Sequence, residues 1–222
     1  MLDFGFYNMD CMDGMRQFPD KYFDLAIVDP VYGDVTKGGY MNNIDSTQKV
    51  AKVRHYHNSL WNQEKTRPEY FDELIRVSKN QIIWGGNYFA DNLPSSQCWI
   101  VWDKDNTGRF ADAELAWTSF DSAVRIFKYT WNGMIQQAGK EHEYRIHPTQ
   151  KPVSLYEWLL TKYAKPGDTI IDTHVGSASS LIACHRTRHK FVGFEIDPVY
   201  YSDAKRRLDV ETAQKSIFDY ME

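Results

Sequence analysis

The stretch Leu25-Ala26-Ile27-Val28-Asp29-Pro30-Val31-Tyr32 decides the fold. An apolar run that stops at an acid followed by a proline is typical of a buried strand in a parallel sheet. Ligands of open α/β sheets lie beyond the carboxyl ends of the strands, so Asp29 and Tyr32 are expected to face a ligand. Pro30 fixes its own φ and biases Asp29 toward an extended backbone, which directs the carboxylate to a defined point. This stretch alone leaves an ordinary strand-to-loop turn as the alternative.

The composition predicts one globular domain over residues 1–222, because 42% of the residues are hydrophobic and 25% are charged. A net charge of −4 argues against a strongly basic nucleic-acid coat protein but leaves room for a local basic groove. The cysteines Cys11, Cys98 and Cys184 are far apart, so we expect neither a disulfide framework nor a zinc knuckle. Without a leader peptide or an apolar run near the ~20 residues of a membrane span, we expect a cytoplasmic protein with no membrane contact.

Strands and helices are predicted to alternate along the chain. The predicted strands are 4–7, 25–28, 81–84, 99–103, 110–117, 123–127, 169–172 and 191–197, and the predicted helices are 12–18, 67–80, 153–163, 180–187 and 198–210. Such alternation indicates the α/β class with a mainly parallel sheet. Segments 33–66 and 128–146 lack periodicity and are interpreted as inserted loops. Segment 33–66 is interpreted as a solvated flap or, because basic residues occur there, as a phosphate-contacting arm, and segment 128–146 as a second surface loop.

The last quarter of the chain has the order strand, small-residue turn, helix, strand and acid. Small residues from Gly176 to Ser179 let the backbone come close to a ligand at a helix N-terminus. Glu195 ends the following strand, where an acid can bind ribose hydroxyls. Asp172 at the entrance of the turn would repel a pyrophosphate but suit an ammonium group. The pattern therefore favours S-adenosylmethionine, with a generic nucleotide-binding turn as the alternative.

Four motifs in this order resemble those of the β-class DNA amino-methyltransferases: Asp29-Pro30-Val31-Tyr32, His147-Pro148-Thr149-Gln150-Lys151-Pro152, the turn 172–179 and Gly193-Phe194-Glu195. The resemblance runs from Asn8 to Leu208, and the chain looks like the compact members found in phages and prophages. It implies a Rossmann-like S-adenosylmethionine-dependent methyltransferase fold. That fold has a mainly parallel seven-stranded sheet with an antiparallel strand, and helices on both faces.

The resemblance implies an enzyme that methylates a base amine of double-stranded DNA, using S-adenosylmethionine as cofactor and a base swung out of the duplex. We expect the Asp29 carboxylate and the Pro30 carbonyl to accept the N–H groups of the amine, and Tyr32 to stack on the base. The acid at position 29 resembles that of adenine-N6 enzymes. A cytosine-N4 or RNA amine methyltransferase, and a catalytically silent protein that binds cofactor or DNA, stay open. A homodimer also stays open, since dimers are common in the family.

Cofactor-binding roles also follow from the resemblance. Asp10 is expected at the adenine, Asp172 at the amino group and Glu195 at the ribose hydroxyls. Thr149 and Lys151 are expected beside the methionine tail, with Lys151 pairing with its carboxylate. The further residues expected at the cofactor are Asp29, His147, Gly176, Ser177, Ala178, Ser179 and Asp197.

The inserted segments 33–66 and 128–146 are the candidate target-recognition elements. The residues expected to contact DNA are Lys37, Lys52, Arg54, Lys128 and Trp131. The histidines do not have the spacing of metal ligands, so no metal is expected.

The chain departs from the family motifs at three places. Val31 replaces the second proline of the catalytic motif, Thr173-His174 replace a Pro-Phe pair, and Ala178 replaces the second glycine of the cofactor turn. Val31 removes one restraint on φ from the catalytic turn. Ala178 is tolerable at negative φ and costly at positive φ.

Overall fold

The computed structural model describes residues 1–33, 64–105, 111–132, 135–137 and 142–213. Its elements in chain order are β1 (Gly5–Asn8), α1 (Cys11–Met15), β2 (Phe23–Val28), α2 (Pro68–Val77), β3 (Ser78–Trp84), a 3-10 turn (Gly86–Tyr88), β4 (Trp99–Asp103), β5 (Ala113–Thr118), β6 (Arg125–Lys128), β7 (Trp131–Asn132), β8 (Ile135–Gln136), α3 (Val153–Tyr163), β9 (Thr169–Asp172), α4 (Ser179–Arg186), β10 (Lys190–Glu195) and α5 (Pro198–Ala213).

Eight strands form one sheet in the order β1-β10-β9-β2-β3-β5-β4-β6. The pairings from β1 to β3 are parallel, whereas β5 runs antiparallel to both of its neighbours. The predicted α/β class, with a mainly parallel sheet and an antiparallel strand, is therefore confirmed. The predicted count of seven strands is wrong for the described residues, because β6 pairs with β4 and adds an edge strand.

Strand β2 shows how both faces of the sheet are covered. Leu25 and Ile27 belong to a buried cluster that includes residues of α3, α4 and α5. Ala26 and Val28 belong to a second cluster that includes residues of α1 and α2. Because side chains alternate across a strand, a strand covered on both faces must be apolar throughout. This explains the uninterrupted apolar run at 25–28.

Helix α2 and segment 128–146 differ from their predictions. Helix α2 ends at Val77, whereas the prediction extended it to residue 80. Ser78 pairs with Phe23 at the start of β3, so strand pairing takes over where the periodicity continued. Segment 128–146 was predicted to be irregular, yet Lys128 ends β6 and the short strands β7 and β8 pair with each other. Most of the other insert, 33–66, lies outside the described residues.

The parallel strands end at one edge of the sheet, and they bring the predicted site residues there. Asp10 follows β1, Asp29 follows β2, Asp172 ends β9 and Glu195 ends β10. This is the edge at which α/β sheets bind ligands. None of the described helices is long and apolar enough to cross a membrane.

Candidate functional site

A cavity of about 250 Å³ opens at the carboxyl edge of the sheet. Asp10, Asp29 and Glu195 lie in its wall. The hexapeptide and the turn after β9 complete much of the wall, with His147, Thr149, Gln150, Lys151, Thr173, His174, Val175, Gly176 and Ser177. Motifs that are far apart in the sequence therefore meet in one cavity.

The Asp29 carboxylate is held by two donors. Lys151 Nζ lies 2.5 Å from Asp29 Oδ2, and the Tyr32 hydroxyl donates to Asp29 Oδ1. Lys151 Nζ also lies 3.1 Å from Glu114 Oε2, and Glu114 pairs in turn with Lys104. Ammonium groups and carboxylates thus alternate in a row of ion pairs, Lys104–Glu114–Lys151–Asp29, which ends at the cavity.

The charges of this cluster support one another. Burial by itself would lower the pKa of Lys151, but the attraction of Asp29 and Glu114 outweighs it and raises that pKa. Burial would raise the pKa of Glu114, but Lys151 and Lys104 outweigh it and lower that pKa. Burial and the neighbouring Asp29 raise the pKa of Tyr32 well above its ordinary value, so its hydroxyl remains a donor.

Lys151 was predicted to pair with a cofactor carboxylate, but in the structure it pairs with two carboxylates of the protein. The side chain is 4% exposed, and its ammonium group is shared between Asp29 and Glu114. A third carboxylate would have to approach two carboxylates that already hold the same cation. In this structure Lys151 holds Asp29 in place.

Tyr32 packs where the chain leaves β3. Gly85 has φ +66, and a Cβ at that position would overlap the Tyr32 ring. The ring also stacks on Tyr88, with centroids 4.9 Å apart and planes at 19°. Tyr88 thus covers one face of the ring that we predicted to stack on a base.

Asp172 is buried below the turn and does not line the cavity. It accepts hydrogen bonds from the backbone N–H of His174 at 3.0 Å and from the Ser180 hydroxyl. Burial raises its pKa from the ordinary 3.8 to about 7. The prediction that Asp172 contacts the amino group of a cofactor is therefore corrected, because its carboxylate holds the turn from behind. Ala178, Ser179 and Asp197, also predicted at the cofactor, are buried and do not line the cavity.

The turn is braced from α5 by Arg207, which the sequence did not single out. Its guanidinium donates to the Ser177 carbonyl at 2.7 Å and to Ser179 Oγ at 2.9 Å. It also pairs with Glu143 at 2.7 Å. Ala178, inside this turn, has φ +63, which is the costly case for a residue with a Cβ.

The remaining predicted cofactor residues line the cavity and also have structural partners. Asp10 caps α1 by accepting the N–H of Met12 at 2.7 Å. Glu195 accepts the backbone N–H of Gly176 at 2.9 Å, and burial raises its pKa. Burial lowers the pKa of His147 to about 4, so its ring is neutral beside the Thr149 hydroxyl at 3.1 Å.

Of the predicted DNA-contacting residues, Lys37, Lys52 and Arg54 lie outside the described residues. The prediction for Trp131 is wrong, because its ring is 5% exposed and its indole N–H donates to the Gln150 carbonyl at 2.9 Å. Lys128 is exposed and pairs with Asp105 at 2.9 Å. Within the described ranges, no group of three His, Cys, Asp or Glu side chains could hold a metal ion.

Glu114 was missed although the sequence carried a signal. The sequence predicts its strand, at 110–117, without a role for Glu114. Glu114, however, is two residues from Ala116, and residues two apart on a strand share a face. Ala116 is buried, so an acid on its side of the strand requires a cation.

A family model described as DNA methylase matches residues 40–206 of the chain. The chain is also similar to the DNA adenine methyltransferase YhdJ of Escherichia coli (strain K12), with 38% identity over 68 residues. These residues are 31% of this chain and 23% of that protein. The chain spans less than a third of the length of the curated relatives it matches.

Two of the solved structures that resemble this chain each cover more than nine-tenths of it. The M1.HpyAVI–SAM complex has a TM-score of 0.55 at 19% identity, covering 91% of this chain and 98% of that one. The PvuII DNA methyltransferase, described as cytosine-N4-specific, has a TM-score of 0.59 at 13% identity, covering 94% and 90%. These likenesses are of fold, and they confirm the predicted Rossmann-like methyltransferase fold.

Proposed function

Because the chain belongs to the DNA methylase family, we propose that it transfers a methyl group from S-adenosylmethionine to an exocyclic amine of a base in double-stranded DNA. The observation that carries this proposal is the carboxylate of Asp29, which lines the same cavity as the cofactor turn and the hexapeptide. The cofactor is supported by the S-adenosylmethionine complex of M1.HpyAVI, which has the same fold.

The residues of this chain would make a poor nucleophile reactive. The lone pair of an exocyclic amine is delocalised into the ring, so it must be localised and aimed at the methyl group. We assign this to the Asp29 carboxylate and the Pro30 carbonyl, each accepting one N–H of the amine. In model systems such alignment supplies up to about 7–11 kcal/mol. When bound, S-adenosylmethionine supplies the electrophilic methyl group.

The hydrogen bonds of Asp29 suggest how the amine enters. Tyr32 occupies Oδ1 with a hydroxyl, while Lys151 occupies Oδ2 with a buried ammonium group. The neutral hydroxyl is the easier of the two to displace, since separating a buried ion pair costs several kcal/mol. The amine therefore takes the place of the Tyr32 hydroxyl while Lys151 keeps the carboxylate fixed. The N–H proton of the amine becomes acidic only after the methyl group has moved to the nitrogen, so Asp29 need not act as a base beforehand.

Asp10, His147, Thr149, Gly176, Ser177 and Glu195 are the predicted cofactor-binding residues that line the cavity, in addition to Asp29 and Lys151. We propose that these six residues hold the cofactor, while Lys151 holds the Asp29 carboxylate. Segments 33–66 and 128–146 are proposed for target recognition within a single catalytic domain.

Adenine N6 is the proposed target. An acid opens the catalytic motif at Asp29, and YhdJ is a DNA adenine methyltransferase. The fold does not distinguish the two amines, because the PvuII enzyme is cytosine-N4-specific. A catalytically silent cofactor-binding protein is the second candidate, favoured by Val31 and by the left-handed backbone of Ala178.

The test is to express the chain, digest cellular DNA and RNA to nucleosides, and quantify methylated bases by mass spectrometry. We expect N6-methyladenine in DNA, and its loss with Asp29→Ala but not with Asp13→Ala, which changes an exposed acid of α1. Both variants should still bind S-adenosylhomocysteine in calorimetry. N4-methylcytosine alone would refute the adenine assignment, and normal turnover by Asp29→Ala would refute the mechanism. Cofactor binding without any methylated base would favour the silent protein.

A further inference from the structure

A buried hydrogen-bond chain leads from α2 to the cavity wall. The Tyr70 hydroxyl lies 2.5 Å from Thr173 Oγ1, which lies 2.9 Å from His174 Nδ1. Tyr70 and Thr173 are 4% and 3% exposed, and His174 lines the cavity. Thr173-His174 is also the pair that replaces Pro-Phe of the family motif. Proline and phenylalanine side chains form no hydrogen bonds, so the family motif itself could not form this series of hydrogen bonds.

The direction of the hydrogen bonds follows from the proton of Tyr70. Within the described part of the protein, its hydroxyl has Thr173 Oγ1 as its one hydrogen-bond partner. Burial raises the pKa of Tyr70 well above its ordinary value, so the phenol keeps its proton. A buried O–H without an acceptor is costly, so Tyr70 donates to Thr173. Thr173 has one hydroxyl proton, and it donates this proton in a hydrogen bond to His174 Nδ1.

The tautomer of His174 is fixed by this arrangement. Burial lowers the pKa of His174 to about 4, so the ring carries one proton at neutral pH. Because Nδ1 accepts from Thr173, that proton is on Nε2. Among the described residues Nε2 has no hydrogen-bond partner, and the ring is held edge-on to Tyr70 at 5.3 Å. His174 thus brings to the cavity wall a ring whose one N–H is at Nε2.

Asp10 provides the complementary acceptor. It lines the same cavity as His174, and its negative charge opposes the lowering of the His174 pKa by burial. An acceptor beside a neutral donor matches one edge of adenine, where the exocyclic amine adjoins a ring nitrogen with a lone pair. Hypoxanthine, which has a carbonyl in place of the amine, does not match this pair.

We propose that His174 Nε2 donates a hydrogen bond to the ring nitrogen beside the exocyclic amine of the cofactor's adenine, and that His174 thereby determines cofactor specificity together with Asp10. This inference rests on the proposed use of S-adenosylmethionine. The ring nitrogen is N1, which is bonded to the carbon that bears the amine, or N7, which lies on the other side of the amine and is bonded to the next ring carbon.

The experiment compares S-adenosylhomocysteine with its 1-deaza, 7-deaza and 3-deaza analogues by calorimetry. A neutral hydrogen bond is worth about three- to tenfold in affinity. We expect the wild type to bind either the 1-deaza or the 7-deaza analogue about three- to tenfold more weakly than the parent. For His174→Phe we expect no difference in affinity between the 1-deaza and the 7-deaza analogue. The 3-deaza analogue, whose changed position is remote from the amine, should give the same ratio in both proteins.

Two further variants separate this role from packing. His174→Gln can present an amide N–H near the place of Nε2 and should retain part of the discrimination, while the exposed His185→Gln should match the wild type. The proposal would be overturned if each analogue's affinity relative to the parent compound were the same in the wild type as in His174→Phe. The wild-type ratios alone also overturn it if neither analogue binds more weakly than the parent, whether or not the variants fold. No binding of S-adenosylhomocysteine to the wild type would instead overturn the proposed cofactor.

Discussion

The buried carboxyl group of Asp172 should make the protein less stable as pH rises. Its pKa is about 7 in the folded protein and 3.8 ordinarily, because the side chain is 2% exposed. A raised folded-state pKa means that the folded state holds a proton which the unfolded chain releases first. Stability is therefore lost progressively between pH 4 and pH 7. Three pKa units correspond to about 4 kcal/mol as an upper limit.

Asp172→Asn removes this titration and keeps the shape of the side chain. Its amide oxygen can still accept the N–H of His174, and its amide group can still meet the Ser180 hydroxyl. We expect the variant to gain about 2–4 kcal/mol over the wild type at pH 8 and little or nothing at pH 4.5. Urea denaturation from pH 4.5 to 8.5 measures this gain. Asp13→Asn, at an exposed acid, is the control. Parallel pH profiles of the wild type and Asp172→Asn would refute the reasoning.

Further changes probe the catalytic turn and the cofactor turn. Tyr32→Phe removes the donor to Asp29 but keeps the ring, so unfolding in urea should show a loss of about 1.5–3 kcal/mol; an unchanged midpoint would contradict that bond. Ala178→Gly relieves a positive φ, about 1–2 kcal/mol, which offsets the lost methyl burial. Ala183→Gly, inside α4, should cost about 2 kcal/mol, and equal losses at the two alanines in thermal melts would count against the strain. Arg207→Lys should weaken S-adenosylhomocysteine binding about tenfold in calorimetry, since it loses hydrogen bonds to the turn worth about 1 kcal/mol each; unchanged affinity would remove its bracing role.

Local patterns predicted much of the fold. The apolar run 25–28 is strand β2, and helix α3 spans Val153–Tyr163 as its periodicity indicated. The convergence of Asp10, Asp29 and Glu195 was predictable for a general reason. Parallel strands end at one edge, so residues that follow different strands meet there whatever their separation in the sequence.

Contacts set by tertiary packing could not be predicted in this way. Lys151 meets Glu114 because antiparallel β5 lies beside β3 in the sheet, and nothing near position 151 specifies that order. Trp131 carries an aromatic ring in a polar segment, which fits a surface contact as well as an anchor in the core. Its burial depends on the Gln150 carbonyl that accepts its indole N–H.

Val31 shows how a lost local restraint is replaced by a distant one. A proline at this position would fix φ in the catalytic turn by covalent geometry. The Val31 carbonyl instead accepts the backbone N–H of Thr66 at 3.0 Å and its hydroxyl at 3.1 Å. The turn that carries Asp29 is thus tied to the residues immediately before α2. A restraint that was local in the motif has become tertiary in this chain, so the position of the Asp29 carboxylate depends on Thr66 as well as on Pro30.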